Sequence, residues 1–362
     1  MALDNLFSSY QLGGLTLKNR AVLAPMTRSR AIGNVPSDLM AAYYAQRSDA
    51  GLIITEGTAP SRSGLGYPRI PGAYSAEQVA GWRVVTDAVH AKGSHIFLQL
   101  MHVGRIGHPL NVPEGGELVA PSAIAAAGEM YTDQEGPQPH PVPRAMDADD
   151  IERTLEEYVS AARNAIEAGF DGVELHGANG YLINQFLNPK SNQRDDGWGG
   201  SADNRNRFAV EVARRVAAAI GAERTAFRVS PHGVFNDLHA FEGIDAQYTA
   251  LASALGELGL AYLAIVDHSA MGAPEVPAST KASLLSAFGG PIILGGGYDG
   301  ARADADIASG AAALVAFGRP FLANADLLER YKAGAALNAP RFDLFYAPGP
   351  EGYTDYPLLS ES

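Results

Sequence analysis

Eight short apolar runs, each leading into a stretch with helical periodicity, constrain this chain more than any other feature. They are AVLAPM (21–26), LIITEG (52–57), HIFLQL (95–100), GVELH (172–176), TAFRVS (225–230), AYLAIV (261–266), PIILGG (291–296) and AALVAFG (312–318). Runs this short and this continuously apolar read as strands buried on both faces, at the spacing of βα units and not of hairpins. Start signals precede the helices between them, such as Ser75 before AEQVAGWRVVTDAVHAKG and Asp150 near the start of IERTLEEYVSAARNAIEAGF, with Gly93 and Gly169 at their ends. Eight such units match a parallel (β/α)8 TIM barrel better than an open doubly wound sheet. The expectation is one α/β domain over residues 1–362. Residues 1–20 read as a small β-hairpin plugging the barrel bottom. The Pro/Gly-rich stretch 104–146, after the third strand, reads as a lid-like insertion over the C-terminal mouth.

Composition narrows the chemistry. With 46% apolar and 19% charged residues and no apolar run near the roughly 18 residues of a membrane helix, the chain reads as a globular protein without a membrane span. The start, MALDNLFSSYQLGG, lacks the basic and apolar regions of a signal peptide, and no cysteine is present, so a cytoplasmic location is expected. Zero cysteines also exclude cysteine nucleophiles, thiolate zinc sites and cysteine-ligated clusters. A formal charge of −13 argues against nucleic acid and for a small-molecule ligand.

In a barrel of this kind chemistry belongs at the C-terminal strand ends. Thr27, Gly57 and Gln99 stand at the first three, His176, Asn179 and Tyr181 follow the fourth, and Arg228 lies within the fifth. Gly295 to Gly297 follow the seventh, and Gly318 with Arg319 the eighth. A buried arginine needs an anion or a carbonyl-rich ring, or else an internal ion pair to Glu174 or Glu56. Gly295, Gly297 and Gly300 have the G-x-G-x-x-G spacing, but the place of a ribose-binding acid carries FGRP instead. A barrel phosphate site fits that pattern better, with ordinary glycine turns as the plain alternative. No lysine stands at a strand end for Schiff-base chemistry. His176 and Asn179 can grip one carbonyl oxygen, and a tyrosine with an ordinary pKa of about 10 suits donating a proton to carbon. A strand-end cap beside a packed tyrosine remains open for the same three residues.

The sequence resembles the old yellow enzyme family of FMN-dependent ene-reductases over essentially its whole length. LKNRAVLAPMTRSRA, LIITEGT, FLQLMHVGR, HGANGYLINQFLNPKSNQRDDGWGGSADNRNRF, VAFGRPFLANADL and GYTDYP carry that resemblance, in the family's order and spacing. It implies that Pro25, Met26 and Thr27 line a flavin, with the Thr27 hydroxyl on its O4. It further implies that Gly57 and Gln99 meet the pyrimidine edge, Arg228 stands at N1 and O2, and Gly296, Gly297, Gly318 and Arg319 hold the phosphate. His176 and Asn179 would bind the substrate carbonyl, Tyr181 would protonate the α-carbon, and Tyr67, Met101, Phe235 and Tyr346 would surround the substrate. Met101 sits where many members carry tryptophan, and Trp198 replaces a more usual tyrosine.

The resemblance thus implies an FMN-dependent oxidoreductase in which NAD(P)H reduces the flavin and an activated alkene is reduced in turn. Monomer and homodimer both remain open. Two rivals stay open at this stage: a metal-dependent barrel hydrolase using His176, Asp267 and His268, and a flavin-binding protein without turnover.

Overall fold

A computed structural model describes residues 3–361. Eight parallel strands close into a barrel: β1 (Ala21–Leu23), β2 (Leu52–Ile54), β3 (His95–Leu100), β4 (Gly172–Gly177), β5 (Thr225–Val229), β6 (Leu263–Val266), β7 (Ile292–Gly295) and β8 (Leu314–Phe317). Each pairs with the next, and β8 pairs back onto β1 through Val315–Ala21, Ala316–Val22 and Phe317–Leu23. The strands are mostly shorter than the apolar runs that announce them, because the ladder ends where the chain peels off towards the next helix.

The barrel helices are α1 (Asp38–Gln46), α2 (Ala76–His90), α3 (Ala148–Glu167), α4 (Ala202–Ile220), α5 (Ile244–Glu257), α6 (Ala278–Phe288), α7 (Gly300–Ala308) and α8 (Leu327–Ala333). Ser75 caps α2 in a reciprocal box with Gln78. The cap of α3 is Asp147, three residues before the expected start signal at Asp150. Asp150 instead supplies the return half of that capping box, its carboxylate accepting from the Asp147 backbone N–H at 3.0 Å while its own N–H donates to Asp147 Oδ1 at 2.8 Å. Gly169, just past α3, takes φ +93°, a conformation open to glycine at little cost.

Alternation along the strands sorts the core into two. Val22, Leu52, Ile54, Phe97, Ala226, Ala264, Ile293, Leu314 and Ala316 cluster inside the barrel, while Leu23, Ile53, Ile96, Leu98, Val173, Phe227, Leu263 and Val315 pack under the helices. Tyr10–Leu12 and Leu15–Leu17 pair antiparallel, and Leu12 and Leu17 join the inner cluster. The stretch after β3 carries an antiparallel ribbon, Glu129–Thr132 with Gly136–Pro139. Its Ile106, Ala126 and Met130 pack against Tyr67 and Tyr181. No helix among the described residues is long and apolar enough to cross a membrane.

Candidate active site

The inward register that places Phe97 and Ala226 inside the barrel continues, two residues on, to Gln99 and Arg228, and brings Glu174 and His176 from β4 to face them. The apolar interior thus ends in a polar layer. Glu174, fully buried, accepts from Arg228 Nε at 2.6 Å, Arg228 Nη2 at 3.1 Å and Gln99 Nε2 at 2.8 Å. The internal ion pair weighed from sequence therefore forms. It does not consume the arginine: Nη1 has no partner among the described residues, and Arg228 stays on the wall of a cavity of about 860 Å³. That size is ample for a cofactor together with a small substrate.

After β4 the chain makes a left-handed turn, with φ +59° at Asn179 and +79° at Gly180. A side chain at Gly180 would lie 2.7 Å from Asn236 Cβ, so glycine allows this turn to seat against the loop after β5. The Asn179 N–H donates to Ser230 Oγ at 2.9 Å, and Asn236 Nδ2 donates to the Asn179 carbonyl at 2.7 Å. His176 is held far below the usual histidine range by burial and by the Arg228 and His268 charges, so its ring is neutral. Its buried Nδ1 has no partner among the described residues. The Tyr181 ring lies 5.1 Å from that of His176, and its hydroxyl is 3.2 Å from the Tyr67 hydroxyl. Burial raises the pKa of both phenols, keeping their protons on.

At the other end of the cavity, Gly296 and Gly297 take φ +125° and +63°. Their N–H groups take no acceptor among the described residues. Gly318 and Arg319 lie beside them on the adjacent strand end, and the Arg319 guanidinium sits 5.4 Å from the Phe342 ring without a carboxylate partner among the described residues. Two glycine turns plus an uncompensated cation suit a phosphate monoester. With donors of Gln99 and Arg228 at the polar layer, the cavity meets both demands of a flavin mononucleotide, an anion-binding end and a donor-lined edge.

Pro25, Met26, Thr27, Gln99, Arg228, Gly296, Gly297, Gly318, Arg319, Tyr67, Met101, His176, Asn179, Tyr181, Phe235 and Tyr346 all line this one cavity. Gly57 does not: the Met101 thioether covers it, and a Cβ at Gly57 would meet Sδ at 2.4 Å. Sequence reasoning passed over Asn236, Met271, Phe342 and Phe345, which also line it. They sit in or beside three-residue 3-10 turns, too short to show a periodicity in the sequence. Asp267 and His268 are otherwise engaged, Asp267 with Lys281 Nζ at 2.7 Å and His268 with Asn179 Oδ1 at 2.8 Å.

Similarity to known proteins identifies the family. Residues 5–338 match the NADH:flavin oxidoreductase / NADH oxidase family. The chain is 43% identical to a probable flavin mononucleotide-dependent alkene reductase of Leishmania infantum, covering 99% of this chain and 98% of that one. Morphinone reductase in complex with tetrahydroNAD superposes with a TM-score of 0.93 at 44% identity, over 98% of both chains. The old yellow enzyme homologue from Zymomonas mobilis does so at 0.94 with 41% identity, over 98% of this chain and 100% of that one. The barrel, its cofactor-sized cavity and these matches together make the chain a member of the NADH:flavin oxidoreductase / NADH oxidase family, the old yellow enzymes, and an FMN-dependent oxidoreductase.

Proposed function

We propose the following division of labour for this NAD(P)H-fed reductase of activated C=C bonds. Gly296, Gly297, Gly318 and Arg319 hold the FMN phosphate. Gln99 and Arg228 face the polar edge of the ring, and Pro25, Met26 and Thr27 line it. When bound, FMN supplies the hydride that NAD(P)H has delivered. His176 and Asn179 hold the carbonyl oxygen of the substrate, and Tyr181 gives a proton to its α-carbon. Tyr67, Met101, Phe235 and Tyr346 shape the space around the alkene.

The observation that carries this reading is the convergence of a neutral imidazole, a fixed amide and a protonated phenol on one wall of the cavity. Charge grows on the carbonyl oxygen as hydride arrives at the β-carbon, so donors waiting there act mainly on the transition state. A neutral histidine donates to that oxygen without having to shed or acquire charge first. Tyr181, held protonated by burial, is an acid and not a base at neutral pH. Its neighbour Tyr67 offers a hydroxyl at 3.2 Å that stabilises the phenolate left behind.

Anaerobic mixing separates the two half-reactions. NADPH or NADH should bleach the flavin of the purified protein, and 2-cyclohexenone should restore it. Tyr181→Phe should slow the second step by about a hundredfold or more while leaving the first intact. His176→Ala/Asn179→Ala should slow it by a factor of at least about 10² to 10³. Normal enone reduction by the paired variant would remove these residues from the reaction.

A further inference from the structure

We propose that His268 is a positioning residue: its ring N–H fixes the Asn179 side-chain amide so that the amide's NH2, and not its oxygen, faces the substrate carbonyl. The inference rests on the reading of Asn179 as a carbonyl donor. A primary amide is nearly symmetric in shape, and a half-turn about its last bond exchanges a donor for an acceptor. Turned the wrong way, Asn179 would present oxygen to oxygen and repel the developing enolate. Something must therefore distinguish its two ends.

The Asn179 backbone is pinned on both sides, by Ser230 Oγ and by Asn236 Nδ2, but these contacts leave the side-chain orientation free. His268 Nε2, 2.8 Å from Asn179 Oδ1, is the partner that side chain has among the described residues. The imidazole is itself held in place. Its ring packs on Phe235 with centroids 4.4 Å apart at 53°. The preceding residue, Asp267, anchors the loop through the N–H groups of Ser269 and Val276 and through Lys281 Nζ. A Cβ at Gly296 would lie 1.8 Å from the Asp267 carbonyl, so the turn after β7 packs directly on this loop. Rigidity of the barrel rim is thereby passed to one amide.

Neutral imidazole donates through only one nitrogen, and a donor at Nε2 matches the acceptor Oδ1. Phenylalanine keeps the tilted ring contact with Phe235 without a donor, whereas glutamine restores a donor without the ring.

The test uses flavin-loaded enzyme and two readouts. One is the anaerobic rate at which 2-cyclohexenone reoxidises the reduced protein. The other is equilibrium binding of 4-hydroxybenzaldehyde to the oxidised protein, a flat phenol whose oxygen accepts the same donors. His268→Phe should weaken both by about tenfold, and His268→Gln should recover most of that loss. In an Asn179→Ala background, His268→Phe should add nothing further, because the two residues act as one unit. An equal loss in both backgrounds, or phenol binding by His268→Phe at the wild-type level, overturns the proposal. If Asn179→Ala alone changes neither readout, the carbonyl-donor reading falls and takes this inference with it. Should the Phe variant fail to retain flavin, His268→Leu is measured under the same criteria.

Discussion

The perturbation with the largest expected effect on the scaffold is Glu174→Gln, which removes one charge and almost no volume. Glu174 is fully buried, and both carboxylate oxygens are occupied by Arg228 and Gln99 donors. An amide can accept at only one of its two positions. Whichever way it turns, its NH2 confronts an N–H of Arg228, and the guanidinium loses its counter-charge in a region of low dielectric. Removing one partner of a buried pair costs about 3–5 kcal/mol, several times the value of an exposed ion pair. At about 2.1 cal/mol/K of unfolding entropy per residue, that loss over 362 residues lowers the melting temperature by about 4–7 °C. Scanning calorimetry of the flavin-free protein reads it directly. Glu174→Met/Arg228→Met, which replaces the pair with apolar side chains, should recover most of the loss in the same assay. A Glu174→Gln protein that melts within a degree of wild type would mean that water reaches this layer, and the argument from burial would be wrong.

Other expectations follow from the two ends of the cavity. Arg319→Ala should weaken FMN binding about 10- to 100-fold, the value of a charge-assisted hydrogen bond, and leave riboflavin binding unchanged. Titrating the flavin-free protein with each ligand checks this, and equal losses would place Arg319 away from the phosphate. Gly296→Ala sets a Cβ 1.8 Å from the Asp267 carbonyl at φ +125°. It should lower the melting temperature and slow enone reduction, since Asp267 anchors the His268 loop. His268 is held at about 4 by burial and by Arg228, and His176 lies well below its ordinary value. Both shifts are downward, so both rings are neutral above about pH 5, while the raised Tyr181 pKa keeps the phenol protonated beyond pH 9. The enone half-reaction should therefore be flat from about pH 5 to pH 9. A break near pH 6.5 would show that one of these imidazoles titrates as it does in water.

The barrel was legible because every strand is buried on both faces, and a continuous apolar run is the signature of that environment. The cap of α3 was displaced by three residues because Asp147 and Asp150 both carry the capping carboxylate, and only the backbone decides which one stands outside the helix. Strand-end position found Gln99, His176, Asn179, Tyr181, Arg228 and the two glycine turns, since the fold confines chemistry to those ends. Position could not choose between an ion pair and a ligand for Arg228; the structure shows the ion pair, with Nε and Nη2 on Glu174, and leaves Nη1 without a partner among the described residues on a side chain that lines the cavity. His268 was visible only as a possible metal ligand. Its partner Asn179 stands 89 residues away on another loop, a distance across which no periodicity carries information.

The same alternation that fills the barrel with Val22, Ile54 and Ala264 gives the site its polar floor. The inward face runs through Phe97 and Ala226 to a polar layer of Gln99, Glu174 and Arg228, of which Gln99 and Arg228 line the cavity. A polar group there is tolerable only because each has a partner, so the floor must be complete before anything binds. The wall above it differs, for His176 Nδ1 has no partner among the described residues. Substitutions of Glu174 should therefore appear first in stability, and those of His176 first in turnover.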